Sequence, residues 1–546
     1  MTSAVRDHPR PGKSLEPLAG VGALTRFFLR RDRIKLPAWV AGLALFVIYI
    51  GTALPTIAPD KQSLESMVTL FAEPVGRMFT GPAYGMDAPS YERFFATGYA
   101  PYLFVLAALM NIFLVIRHTR AEEQSGRAEL IRASVTGRFA PLTASLLVAV
   151  ITNLIAGTVV AAVAIAAGFA APGSILIGAG TALTGLVFAG IAAVTAQLSE
   201  FARTASGLAG IVLGVSFALR ALGDMAQVGG SALSWISPLG WASQTAPYVL
   251  DRWAPLALLL ALTALCVIAA YFLQGQRDFG ASLITVRPGP AHARSFLGRP
   301  LGLAMRIQRS NFLGWGMGIL ALGIVDGAFT QALVDAGQNM PDALKDLFGA
   351  DQLVNGYLAF LGLFVSVLVT AYTISAMQTV RSEETQGRAD LVLATATTRT
   401  AWLGSHVATV ALGAITISVL TGFGTGIAAA FVTGDWSLVG DALGAHVALL
   451  PAVLALLAFW TLLIGCAPRL LSPLGWAIVV FVSVLALFAE LLDLPQWLVS
   501  ASPFEHLAQV PQEPFAPAAA LILLALAALI SAIGLAGVRR REINAV

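Results

Sequence analysis

Residues 120–130 read RAEEQSGRAEL, and residues 381–391 read RSEETQGRADL. A chain that is 57% hydrophobic and only 12% charged carries this dense charged phrase twice. Long apolar runs surround both copies: Ala38–Gly51, Leu103–Val115, Leu146–Ala170, Leu438–Ile464 and Pro517–Val538 are dominated by Leu, Ala, Val, Ile and Gly. Most reach or approach the roughly 20 residues that one membrane helix needs. Mean hydropathy is +0.79 over 546 residues. The charged content lies well below the roughly 25% of ordinary soluble domains. A soluble fold could not hide so much apolar surface, so the reading is an all-α polytopic membrane protein.

Apolar runs set against turn and charge punctuation predict about twelve spans. They fall near 37–54, 98–117, 140–170, 175–198, 204–222 and 254–273, then 312–332, 356–379, 402–432, 438–465, 470–489 and 516–538. If the chain starts inside, most of its 33 Lys and Arg residues lie on the inner side, as the positive-inside bias requires. Both termini are therefore expected in the cytoplasm and the protein in the plasma membrane. The first 36 residues carry no apolar h-region or cleavage site, so the first span is expected to direct insertion. Two cysteines, Cys266 and Cys466, in or beside apolar runs build no disulfide framework or metal site.

The phrase is one of several landmarks that recur in order. Arg33, Trp39 and Gly42 match Arg309, Trp315 and Gly318 at an offset of 276, and the phrase repeats at 261 (Arg120 to Arg381). Arg203, Ser206 and Leu208 match Arg469, Ser472 and Leu474; Ser237-Pro238 matches Ser502-Pro503, and Ala254-Pro255 matches Ala516-Pro517. The chain reads as two parallel six-helix repeats, with about fifteen extra outer residues near Gly81–Phe95 in the first. Expected divisions are a basic N-terminus at 1–36, a first membrane half at 37–273, a linker at 274–311, a second half at 312–538 and a tail at 539–546. The charged segments lie at about 118–138 and 380–400.

In a helix, Arg120 would meet Glu123 and Arg381 would meet Glu384 at three-residue spacing, while Glu123–Arg127 and Glu384–Arg388 lie four apart. Such exposed pairs are worth only about 0.3–0.5 kcal/mol each, too little to explain the phrase by stability. Gly126 and Gly387 each cost a helix roughly 1 kcal/mol, which suits a place where another backbone or a partner approaches closely. The phrase is thus either a docking element or a solvated positive-inside loop, and its recurrence favours docking.

On these residues the chain resembles the permeases of ABC-2-type transporters, whose loop after the second helix carries a Glu-Glu-x-x-Gly-Arg-x-Glu-Leu phrase that forms the coupling helix. It is similar to the double-length actinobacterial permeases associated with export of polyketide antibiotics such as tetronasin and with multidrug efflux. The likeness extends over nearly the whole chain, including Ser237-Pro238-Leu239-Gly240-Trp241 before the sixth span. It implies a type V ABC exporter-like fold, with Glu122, Glu123, Gly126, Arg127 and Glu129 as one coupling element. Glu383, Glu384, Gly387, Arg388 and Asp390 would be the other, with Asp390 a shorter acid than the pattern has. Arg26–Lys35 and Arg306–Asn311 resemble elbow helices, or serve as topogenic charge. The fusion implies two copies of a separate ABC ATPase per chain, whose closure on ATP would push the coupling elements.

The chain itself offers no ATPase. Gly12-Lys13-Ser14 has Asp7 where a P-loop needs its first Gly, and no apolar strand precedes it. No cofactor is expected in this chain; ATP and Mg would be held by the partner. The low net charge of +3 gives no reason to expect nucleic acid, and no soluble catalytic constellation is present. A proton-coupled multidrug antiporter is the competing reading, since twelve spans in two halves also fit that layout. Its ionisable candidates are few: His406, His446, Arg220 with Asp224, and Asp326. The family layout implies a path between the halves along spans two, five, eight and eleven; Asn111, Phe217, Tyr372 and Phe481 are the candidates to face it, because each puts a polar or aromatic group into its span. Few charges in those spans favour a hydrophobic or amphipathic substrate: a polyketide, a drug or a lipid.

Overall fold

The structure is a computed structural model that describes residues 16–132, 136–278, 280–284, 292–336, 353–489 and 494–541. The Gly12-Lys13-Ser14 triplet, part of the linker at 285–291, the stretch 337–352 and the tail beyond Arg541 lie outside the described residues. Every element among those described is helical. Twelve helices are long and apolar enough to cross a membrane, one for each expected span. This is a multi-pass membrane protein.

The chain divides into two compact units, Met1–Pro288 and Gly289–Val546, each with six spans. Spans 1 to 6 are Lys35–Ile57, Tyr91–Gln124, Ala140–Ala166, Ala171–Leu198, Ala202–Ala226 and Ala254–Gln276. Spans 7 to 12 are Pro300–Asp335, Leu353–Thr385, Arg399–Thr433, Leu438–Cys466, Pro468–Leu487 and Pro517–Arg540. The same neighbours meet inside each unit: the second span packs on the third, fourth and fifth, the third on the first and fourth, and the fourth on the sixth. Spans 2, 4, 8 and 10 are the centres of their units, with 67–72% of their apolar windows buried, against 17–44% for the others.

Small residues allow the helices to approach, as packing inside a lipid solvent requires. A Cβ on Gly178 would lie 2.3 Å from the Gly157 carbonyl oxygen, and one on Gly465 would lie 2.0 Å from that of Gly534. The peripheral spans keep their apolar side chains outward: Leu260, Leu265, Ile268 and Phe272 of span 6 are all exposed, as are Leu521, Ile522 and Leu529 of span 12. These faces fit hydrocarbon.

The two basic segments before spans 1 and 7 differ. In the first unit a separate helix, Val21–Arg31, precedes span 1 and breaks at Asp32–Ile34. In the second unit Arg306–Asn311 is no separate helix but lies inside the continuous Pro300–Ala328. Proline explains the difference. Pro37 lacks an amide hydrogen and its ring clashes with the carbonyl four residues back, so the helix restarts there; the residue at the matching offset of 276 is Leu313, which lets the helix run on.

At the end of the first unit opposite the charged phrase, the stretch from Arg77 into the extra segment at Tyr84 is fastened to span 5 and the turn beyond it. Arg77 donates from Nε to the Asp224 carbonyl oxygen at 2.8 Å and from Nη2 to that of Met225 at 2.8 Å. Arg220 reaches the carbonyls of Met78 and Thr80 and faces the Asp224 carboxylate at 3.4 Å. The Tyr84 hydroxyl lies 2.6 Å from Gln244 Oε1. Burial depresses the Arg77 guanidinium below its usual range, partly offset by Glu73 and Asp224. Arg220 and Asp224, candidates for proton coupling by sequence, are thus held in a structural network.

Candidate coupling site

Each charged phrase is the end of a span, a turn, and a short new helix. In the first copy Arg120–Gln124 extends span 2, and Arg127–Arg132 follows the turn. In the second, span 8 runs unbroken to Thr385 and Arg388–Leu393 follows. The turns sit at Gly126, φ 74°, and Gly387, φ 69°. Each glycine amide bonds the carbonyl three residues back, Glu123 at 3.1 Å and Glu384 at 3.0 Å.

These turns correct two expectations. The phrase is not one helix, so Arg127 and Arg388 do not meet the acids four residues before them. They fold back onto the acids five residues before: Arg127 Nε lies 3.1 Å from Glu122 and Arg388 Nη2 lies 2.6 Å from Glu383. That bond holds the exposed Arg388 guanidinium above its usual range. Nor do the glycines admit a close neighbour from this chain. A Cβ on Gly126 meets nothing within 4 Å and one on Gly387 only an Asp390 oxygen at 3.9 Å. Glycine is needed because the left-handed conformation penalises a side chain.

The three-residue pairs form as expected: Arg120 to Glu123 and Arg381 to Glu384, both at 2.8 Å. Each acid also takes a second arginine that sequence reading passed over. Arg277, just past span 6, donates to Glu123 at 2.7 and 3.0 Å. Arg541, just past span 12, pairs with Glu384. Arg277 and Arg541 are 264 apart, inside the spread of the other repeated landmarks, so the repeat itself was the signal that could have found them. A further pair braces them: Arg138 and Arg399 donate to the carbonyl oxygens of Arg277 at 3.0 Å and Arg541 at 2.6 Å. In both units an Arg–Glu–Arg bridge ties the end of the second span to the end of the sixth.

Beyond the bridges, Arg120 is almost fully buried and donates to the carbonyls of Ala196 and Ala281 at 2.9 and 3.1 Å. Glu122, also buried, receives Arg31 of the preceding helix at 2.6 Å. Gln124 Oε1 accepts the amide of Ala202 at the start of span 5, 3.0 Å away. What each phrase leaves exposed is the turn and the first face of the new helix: Gln124, Ser125, Arg127 and Glu129 in one, and Gln386, Arg388, Asp390 and Leu391 in the other. That face mixes both charge signs and, at Leu391, an apolar side chain that is 75% exposed.

Residues 24–273 and 297–539 match a family model described as the C-terminal domain of the multidrug efflux system permease Rv1217c. The chain is also 37% identical, over the full length of both proteins, to the multidrug efflux system permease protein Rv1217c of Mycobacterium tuberculosis (strain ATCC 25618 / H37Rv). The chain belongs to this family of multidrug efflux permeases. Within the permease, the four residues expected to face a substrate path are placed differently from one another. Asn111 is fully buried, and its amide is paired reciprocally with that of Asn153 at 2.7 and 3.0 Å, behind Gly185. It therefore joins spans 2 and 3 and lines no open space inside its unit. Phe217 is half-buried, its ring 4.6 Å from the Arg220 guanidinium. Phe481 is exposed, and Tyr372 is fully buried against Gly413 of span 9.

Proposed function

We propose that the permease is the membrane subunit of an ATP-driven exporter of hydrophobic or amphipathic compounds, with its charged phrases at the cytoplasmic face of the plasma membrane. Two copies of a separate ABC ATPase dock on the exposed faces that follow Gly126 and Gly387, and ATP and Mg bind to those partners. One observation carries this reading: in both units an exposed turn of mixed charge is bolted through an Arg–Glu–Arg bridge to two spans of its own six-helix unit. A solvated loop has no use for that construction. A push on the turn is delivered to spans 2 and 6, or 8 and 12, rather than dissipated in loop motion. A ligand shifts such an equilibrium only through its differential binding to two states, and a stiff connection preserves that difference.

Asp326 is the observation on the side of proton coupling. Its Oδ2, in span 7, has no hydrogen-bond partner among the described residues. Transport in inside-out vesicles holding the chain and its ATPase separates the two readings. ATP-dependent uptake of a lipophilic dye that survives collapse of the proton gradient supports the exporter. Uptake driven by the gradient alone and lost in Asp326→Asn supports the antiporter.

A further inference from the structure

We propose that a cavity within the second unit binds an anionic amphiphile, a molecule with an acidic headgroup and an apolar body. The cavity, of about 650 Å³, lies among the Ser295–Gly298 turn and spans 7, 8 and 9. Arg294, Arg306 and Arg309 line it, and none of them pairs with a carboxylate among the described residues. Phe296, Phe312 and Leu412 line it as well. The turn is held firmly against span 7, since a Cβ on Gly302 would fall 2.0 Å from the Phe296 carbonyl oxygen.

Two buried polar atoms at this cavity lack partners. The Tyr372 hydroxyl and Gln308 Oε1 belong to residues that are 0% and 1% exposed, and neither atom is hydrogen-bonded among the described residues. The hydroxyl can donate to an acidic oxygen. The three arginines are exposed and free of carboxylate partners among the described residues, and their planar forks suit phosphate or carboxylate oxygens. An apolar wall beside them suits the body of an amphiphile.

The first unit shows what the second lacks. At the offset of 276, Arg306, Gln308 and Arg309 correspond to Arg30, Asp32 and Arg33. There the buried Asp32 carboxylate meets Arg117 at 3.1 Å and His118 at 2.6 Å. An internal carboxylate is buried in the first unit at this level. The second has a neutral amide there, and Gln378 and Thr379 where Arg117 and His118 stand at the offset of 261, so it carries no internal anion beside its three arginines and its cavity. The site is separate from the charged phrases and its occupancy does not depend on an ATPase.

The test uses the full-length chain in lipid nanodiscs. One arm compares discs of phosphatidylcholine alone with discs containing phosphatidylglycerol and measures retained lipid by native mass spectrometry. The other titrates dodecyl phosphate into phosphatidylcholine discs. Retention of phosphatidylglycerol assigns the anion to a membrane lipid; saturable binding of dodecyl phosphate alone assigns it to a free amphiphile. In either case Arg306→Gln with Arg309→Gln weakens binding by roughly tenfold or more. Tyr372→Phe, which removes one unpartnered oxygen and keeps the ring, weakens it by roughly threefold to tenfold. Failure of wild type to retain either anion, or equal binding by both variants and wild type, overturns the proposal.

Discussion

The two charged phrases share a frame and differ in how much holds it. Both have the left-handed glycine, the arginine folded back five residues, and the acid bridged to an arginine beyond the sixth span. In the first unit Glu122 also grips Arg31, Arg277 Nε bonds Gln197 at 2.7 Å, and Asp32 binds Arg117 and His118. In the second, Glu383 pairs with Arg388 alone, and Arg541 Nε has no partner, among the described residues. The shared parts are those that the proposed function uses to carry a push. The unshared parts give the first phrase more bonds to its surroundings than the second.

The largest expected effect breaks the shared frame. Glu384→Ala leaves Arg381 and Arg541 facing each other where the side chain was wholly buried, a loss of about 3–5 kcal/mol. Glu123→Ala falls in the same range: its carboxylate is 11% exposed, but it strands Arg120 and Arg277, 1% and 5% exposed against 19% and 16% for Arg381 and Arg541. Thermal unfolding of the detergent-solubilised chain should show comparable losses for the two variants. Charge reversal at either acid would place three positive groups together, so those variants disturb the fold of the phrase before they test docking.

A smaller effect sharpens the difference between units. Asp32→Asn removes a buried carboxylate's ion pair with Arg117 and weakens its bond to His118, at a cost of about 2–3 kcal/mol, whereas Gln308→Ala loses one bond to the Ala376 carbonyl, about 1 kcal/mol. Unfolding midpoints of the two variants check this inequality. Smaller than the Asp32→Asn loss are Gly126→Ala and Gly387→Ala, about 1–2 kcal/mol each and equal in the two units, because the cost is conformational and the space beside each is open. Equal midpoint shifts for the pair are the expected result. Glu129→Lys and Asp390→Lys, both exposed, should change stability by less than about 0.5 kcal/mol.

The twelve spans were legible because they rest on a signal that survives without contacts: apolar runs of membrane length. Arg120–Glu123 and Arg381–Glu384 were legible because helix spacing alone makes them neighbours. Glu123–Arg127 and Glu384–Arg388 misled for the same reason: the spacing rule assumes a continuous helix, and Gly126 and Gly387 end it. Arg277 and Arg541 could not be paired with their acids from local pattern, since 154 and 157 residues separate the partners. Asn111 was read as lining a path because a polar side chain in a span stands out. Its partner, Asn153, is on the next helix, and only packing brings the two amides together.

The most direct test of the central claim counts ATPase subunits on the purified permease. Tagged full-length chain, isolated with its ATPase from native membranes, is weighed by native mass spectrometry as wild type, Glu129→Lys, Asp390→Lys and the double variant. Two subunits on wild type, one on each single variant and none on the double variant are predicted. Two subunits on all four proteins, or none on wild type, would contradict docking on the two phrases.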